Sequence, residues 1–378
     1  MRSISRKTAA WAYGAVIAVA GCTAGIVVAT QGGGAAASGG QAASGRQAAQ
    51  PARAPLRLVS TSPASGVRAA NGAAAITVTY NEPLPASAPS PRLSPVIAGT
   101  WQREGDTAVF TPATGYPAGT RVTVMVAGLG GTTVRSLSSS LTFTTGAYST
   151  LRLQQVLAQL GYLPLTWKPA AGATAPAPNA AAQLSAAYAP PAGSFGWRRG
   201  YPAELRGFWR KGRPNTLDKG AITGFEADHG MATDGVAGRA VWTALLRAAA
   251  AGQRNTHGYS YAIARQQLPE TLTIWHDGKR VFSTAVNTGI SVAPTPVGTF
   301  PVYEKLPYQV MQGTNPDGSH YADPVEWVSY FNGGSAVHYI SRGSYGWPQS
   351  LGCVELPYTA AKDSYPYLPY GTLVTVRP

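Results

Sequence analysis

The run HYISRGSYGWPQSLGCVELP (338–357) holds Cys353, preceded by Gly352 and lying downstream of His338; the chain's other cysteine, Cys22, is in the N-terminal segment. A thiol becomes thiolate near neutral pH only beside a base or a positive charge, and an imidazole folded back onto it supplies both. A glycine just before the thiol lets the backbone approach a reacting carbonyl, and it leaves the Cys353 amide free to face a developing oxyanion. The pattern therefore points to cysteine acyl transfer. The plainer alternative is a small buried Cys353 and an ordinary strand His338, since free cysteine is among the most buried residue types.

Two more runs lie upstream: NTG (287–289), then TPVGTF (295–300) ahead of a strand-like PVY. In order and spacing, TPVGTF, the His338 segment and SLGCVEL (350–356) resemble the L,D-transpeptidase (YkuD) catalytic domain, over roughly the last third of the chain. Three positions depart from that pattern. Tyr339 follows the histidine where the family commonly has Gly, Leu351 stands where a second His is frequent, and Glu355 occupies a place usually held by Arg or Asn. Leu351 cannot hydrogen-bond, so the His338 ring must be oriented by a backbone carbonyl or by Ser350. A carboxylate near Cys353 disfavours thiolate, so Glu355 is expected to point away, with Arg342 or Lys362 as candidates for the missing charge.

The resemblance implies that Cys353 is the nucleophile, His338 the general base and then acid, and the Gly352 and Cys353 amides the oxyanion donors. It implies attack on the carbonyl before the terminal D-amino acid of a peptidoglycan stem peptide, then transfer to a diamino acid of a second stem. A 3→3 cross-link results, with no metal or organic cofactor. Transfer to water would make the protein an L,D-carboxypeptidase, and a dead catalytic domain would leave a cell-wall-binding protein. A sortase-like enzyme also orders His before Cys but needs an Arg beyond the thiol, where only Arg377 follows.

With 378 residues the chain has room for two to four domains. Charged residues make up 12%, Gly and Pro number 44 and 30, and the net charge is +14. That balance suits turn-rich β structure in anionic surroundings; nucleic acid is not expected, because no reading motif accompanies the charge. The five histidines lack metal-ligand spacing.

Arg2, Arg6 and Lys7 precede an apolar run from Thr8 to Thr30, the mark of an export signal, so residues 1–30 are expected to tether a monomer outside the cytoplasm. Val19-Ala20-Gly21-Cys22 looks like a bacterial lipobox, while the whole run has about the 20 residues of a spanning helix. Residues 31–55 read as a flexible linker reaching roughly 28 Å. From 56 to 147, alternation such as Ile76, Val78, Tyr80 and Val122, Val124, Val126 predicts a β-sandwich that resembles a bacterial Ig-like domain and reads as a spacer.

From 148 the period becomes helical. Leu153, Val156, Leu157 and Leu160 predict a helix stopped by Gly161, a second helix ends near Gly230, and a third carries Val241, Trp242, Leu245 and Leu246. These pieces resemble the ends of a short peptidoglycan-binding domain, making 148–255 a small wall-binding-like unit with an insertion at 166–214. Within it, 169–194 reads as disordered from its Ala, Pro and Gly content. FGWRRGYPAELRGFWRKGR (195–213) reads as an amphipathic helix packing Leu205, Phe208 and Trp209, or as a glycan-docking surface. Residues 256–378 return to strands: Leu272 and Ile274 on one face, a turn at Asp277-Gly278, and a long lid loop between Tyr303 and Tyr330 that contains His320. The fold expected is thus multidomain and mainly β: sandwich, small helical unit, β-rich catalytic domain.

Overall fold

The computed structural model describes residues 56–126 and 139–378. The expected anchor (1–30) and linker (31–55) lie outside the described residues. Among those described, no helix is long and apolar enough to cross a membrane.

Strands β1 (Leu58–Ser62), β2 (Ile76–Tyr80), β3 (Arg92–Ser94), β4 (Gly99–Glu104), β5 (Thr107–Pro112), β6 (Arg121–Val126) and β7 (Ser139–Thr144) form the first module. They make two antiparallel sheets, β1-β2-β5-β4 and β3-β6-β7. The alternation read in the sequence supplies the core: Ile76, Val78, Val122, Val124 and Phe143 are buried together.

The helical module runs α1 (Thr150–Leu160), β8 (Leu165–Pro169), α2 (Ala180–Tyr188), β9 (Gly193–Trp197), α3 (Thr216–Asp228) and α4 (Arg239–Ala251). Helix α1 ends where the sequence says: Gly161 is left-handed at φ 91°, and the Tyr162 amide reaches back to Leu157 O. The 166–214 insertion is ordered, against its composition. β8 and β9 pair as an antiparallel ribbon, and α2 buries Ala186 and Ala187. Polar pins hold it. Arg152 Nη2 donates to Gln183 Oε1 at 2.6 Å, and Gln154 Nε2 donates to Arg210 O, Arg213 O and Asp218 Oδ2 at 2.9–3.1 Å. Leu205, Phe208 and Trp209 pack inward as expected, but from a short 3-10 turn (Ala203–Phe208) rather than an amphipathic α-helix.

The last module holds β10 (Ser260–Arg265), β11 (Thr271–His276), β12 (Lys279–Ala285), β13 (Gly298–Pro301), β14 (Glu304–Thr314), β15 (His320–Asn332), β16 (Ser335–Tyr339), β17 (Val354–Leu356), α5 (Tyr358–Ser364) and β18 (Leu373–Arg377). They form a five-stranded sheet, β12-β11-β10-β18-β13, and a four-stranded sheet, β14-β15-β16-β17. Leu272, Ile274, Val337, Val354, Leu356 and Val374 fill the core between them. Central strand β10 is buried on both faces: Ala262 and Ala264 enter that core, while Tyr261 and Ile263 join the core of the helical module. The two modules therefore share a continuous apolar interior. Helix α3 approaches backbone to backbone; a Cβ on Gly220 would lie 2.6 Å from the Gly371 carbonyl.

Candidate functional site

His338 sits on β16 and Cys353 immediately before β17, and these strands pair in parallel with His338 opposite Glu355. Side chains alternate along a strand, so Val337, Val354 and Leu356 enter the core, whereas His338, Cys353 and Glu355 share the other face. All three line one cleft of about 780 Å³. A larger cavity, about 1530 Å³, runs from the sandwich over α4 to β13 and contains neither residue. The smaller cleft is the candidate site, because it alone of the two brings a thiol and an imidazole together.

The His338 ring is buried and its Nδ1 lies 3.0 Å from Tyr339 O. A carbonyl can only accept, so Nδ1 carries the proton and Nε2 is left as a proton acceptor. Burial chiefly holds the imidazole pKa down, opposed by that hydrogen bond and by Glu355. Orientation thus comes from a backbone carbonyl. Ser350 serves elsewhere: its hydroxyl donates to Cys353 O at 2.7 Å and accepts from the Gly352 amide at 3.2 Å.

The Gly352 amide is thereby occupied, which removes it from the expected pair of oxyanion donors and leaves the Cys353 amide. Gly352 has φ 108°, and a Cβ there would meet nothing closer than 3.7 Å, so backbone conformation rather than space calls for glycine. The thiol is partly exposed, and its nearest acceptor is Gly334 O at 3.7 Å, not the imidazole. Burial pushes the thiol up to about 11, with Glu355 adding to the rise. Burial thus favours a neutral thiol and a neutral imidazole lining one cleft, not the thiolate the sequence suggested.

Glu355 does not point away from the thiol, since strand alternation puts both on the cleft face. It is instead compensated: Arg342 Nε and Nη2 reach its two oxygens at 2.8 and 2.6 Å, and that pairing holds the guanidinium pKa above its ordinary value. Arg342 is thus a bound countercharge, and Lys362 is exposed on α5, outside the cleft. Arg377, the sortase-type candidate, pairs with Glu204 at 3.1 Å and does not line the cleft.

The upstream runs form the frame that carries the cysteine. Thr295 Oγ1 donates to Cys353 O at 2.9 Å and accepts from the Gly289 amide at 2.8 Å. Asn287 exchanges backbone hydrogen bonds with Glu355, and its side chain caps the Ser344–Gly346 turn. Buried Glu270 accepts from Thr288 N at 2.5 Å and Thr288 Oγ1 at 2.6 Å. Glu270 and Asp323 are residues that sequence reasoning missed; no local motif marks either.

The expected lid loop is a regular hairpin. β14 and β15 pair from Glu304–Tyr330 to Thr314–His320, and Gln309, Met311, Tyr321 and Asp323 overhang the cleft from it. His320 lies beside the hairpin turn, exposed and outside the cleft lining.

The family model for the L,D-transpeptidase catalytic domain, YkuD, matches residues 261–376. That span carries a YkuD catalytic domain, within the 256–378 region read from the motifs. Solved structures similar to this chain include an L,D-transpeptidase from Mycobacterium smegmatis, at 17% identity and TM-score 0.29, covering 86% of this chain and 100% of that one. L,D-transpeptidase 3 from Mycobacterium tuberculosis with a faropenem-derived adduct has 14% identity and TM-score 0.29, with 85% and 98% covered. The catalytic domain of the E. faecium L,D-transpeptidase has 26% identity and TM-score 0.29, with 32% and 100% covered. No curated protein matches the chain.

Proposed function

We propose that the C-terminal module is a peptidoglycan L,D-transpeptidase working through a cysteine thioester. The observation that carries this reading is a single cleft lined by the Cys353 thiol and a His338 ring whose Nδ1 is tied to a carbonyl. Such a ring can take a proton only at Nε2, as a general base must.

In the proposed acylation, Cys353 Sγ bonds to the carbonyl carbon before the terminal D-amino acid as Nε2 removes the thiol proton. The C–N bond then breaks and His338 returns that proton to the leaving amine. The oxyanion formed on the way is held by the Cys353 amide. Since both partners are neutral at rest, proton transfer accompanies attack instead of preceding it. Deacylation repeats the sequence: an amine from a second stem bonds to the carbonyl carbon, the C–S bond breaks, and the nitrogen's proton passes through His338 to sulfur. Water in place of the amine would give the carboxypeptidase outcome. The sandwich would act as spacer, the helical module as wall-binding-like support, and residues 1–30 as the membrane tether of an extracytoplasmic enzyme.

Intact-mass analysis of the ectodomain with imipenem tests this. One covalent adduct is expected on the wild type and none on Cys353→Ala, and walls treated with the enzyme should gain 3→3 dimers. A folded wild type that forms no adduct and no dimers would instead be the cell-wall-binding protein.

A further inference from the structure

The chain carries a net charge of +14, yet three carboxylates (Asp317, Asp323 and Glu355) and only one guanidinium, Arg342, line the cleft that holds Cys353. Those carboxylates are not equivalent. Both oxygens of Glu355 are taken by Arg342. Asp317, on the hairpin turn, accepts from the amide and hydroxyl of Ser319. Asp323 is half-buried on β15 and has no hydrogen-bond or ion-pair partner among the described residues. Its register partner is Met311, so nothing cationic faces it across the ladder. Asp323 lines the same cleft as Cys353 and His338, and its field reaches both His338 and Arg342. An unpaired carboxylate facing a partly enclosed cleft is a receptor for a cation.

We infer that Asp323 binds the ammonium of the incoming acceptor, a primary alkylamine on a second stem peptide, and so directs the thioester toward aminolysis over hydrolysis. This rests on the proposed acyl transfer at Cys353. The ammonium docks against Asp323 and releases one proton to solvent. The neutral amine, still hydrogen-bonded to the carboxylate, then forms the N–C bond as the C–S bond breaks, and His338 carries the second proton from nitrogen to Sγ. Water, being neutral, gains less from Asp323 than an ammonium does. The residue therefore acts on the partition of the acyl-enzyme.

The test measures two quantities on the whole ectodomain: the rate of imipenem adduct formation, and the ratio of cross-linked to hydrolysed product. The second uses a tetrapeptide donor with an acceptor peptide bearing one side-chain ammonium. Asp323→Asn should lower the partition ratio about five- to tenfold, a ratio read on the acyl-enzyme once formed and therefore independent of the rate of adduct formation. Asp323→Lys should lower it further, and rising salt should erode the wild-type ratio but not that of Asp323→Asn. An unchanged ratio in both variants, or exclusive hydrolysis by a wild type that still forms the adduct, would overturn the inference and leave acylation standing. A wild type that forms no adduct would remove the acyl-transfer reading itself.

Discussion

Glu355 shows how a carboxylate can stand on the same face as a thiol and be compensated by a second partner. Its carboxylate shares the cleft face with Cys353 and raises the thiol pKa, but Arg342 neutralises much of its field at close range. Glu355→Gln removes the negative neighbour and frees Arg342, and both changes favour thiolate. The thiol pKa should fall from about 11, seen as a three- to tenfold faster alkylation by iodoacetamide at pH 8. A slower reaction would mean that the pair acts as a unit whose loss disorders the site. That Cys353 and His338 belong to one site was legible as far as the shared cleft goes, because thiol and imidazole are rare and sit among recognisable runs. The Arg342 pairing was not, for it depends on a parallel register that brings together residues 13 apart.

At the scale of elements, sequence pattern succeeds where one periodicity acts alone and fails where polar side chains decide. Helix α1, β2 and the β11–β12 hairpin appear where alternation or the 3.6 period placed them, the hairpin turning on Asp277 and Gly278 at φ 44° and 78°. The insertion was misread because an Ala, Pro and Gly composition says nothing of Arg152 and Gln154, which reach out from α1 to hold it. The lid was misread because Pro, Gly and Asn in QVMQGTNPDGSHYADP suggest a loop, yet cross-strand pairing makes it sheet. Gly220 sets propensity against packing. Within α3, alanine gains about 1 kcal/mol of helix propensity over glycine, but its Cβ would lie 2.6 Å from Gly371 O and 2.9 Å from Leu373. Packing should win: Gly220→Ala is expected to destabilise the protein by about 1–3 kcal/mol in a urea melt, and a stabilised variant would show that α3 can shift freely on the catalytic sheet.

Across the whole molecule, α3 bears on both the helical core and the catalytic sheet, so its protonation state reaches beyond its own module. Asp218 lies in its first turn, 2% exposed, accepting from Gln154 Nε2 and Asn215 Nδ2 at 2.9 Å each while Oδ1 has no partner. Desolvation outweighs these bonds and lifts its pKa from 3.8 to about 7; Glu226, fully covered at the other end of the helix, is lifted to about 7 by the same cause. A carboxyl raised in the folded state keeps its proton while the unfolded chain has already lost it. Its contribution to stability is therefore complete below about pH 4, falls as pH rises, and is gone above about pH 7. For Asp218 the difference is about 4 kcal/mol, three pKa units at about 1.4 each. Thermal melts from pH 4.5 to 8.5 should show Asp218→Asn gaining on the wild type as pH rises to about 7 and levelling beyond it, because the amide keeps the hydrogen-bonding shape without a charge to bury. A constant offset between the two melting curves would mean that Asp218 is ionised throughout and that Gln154 and Asn215 suffice to hold the charge.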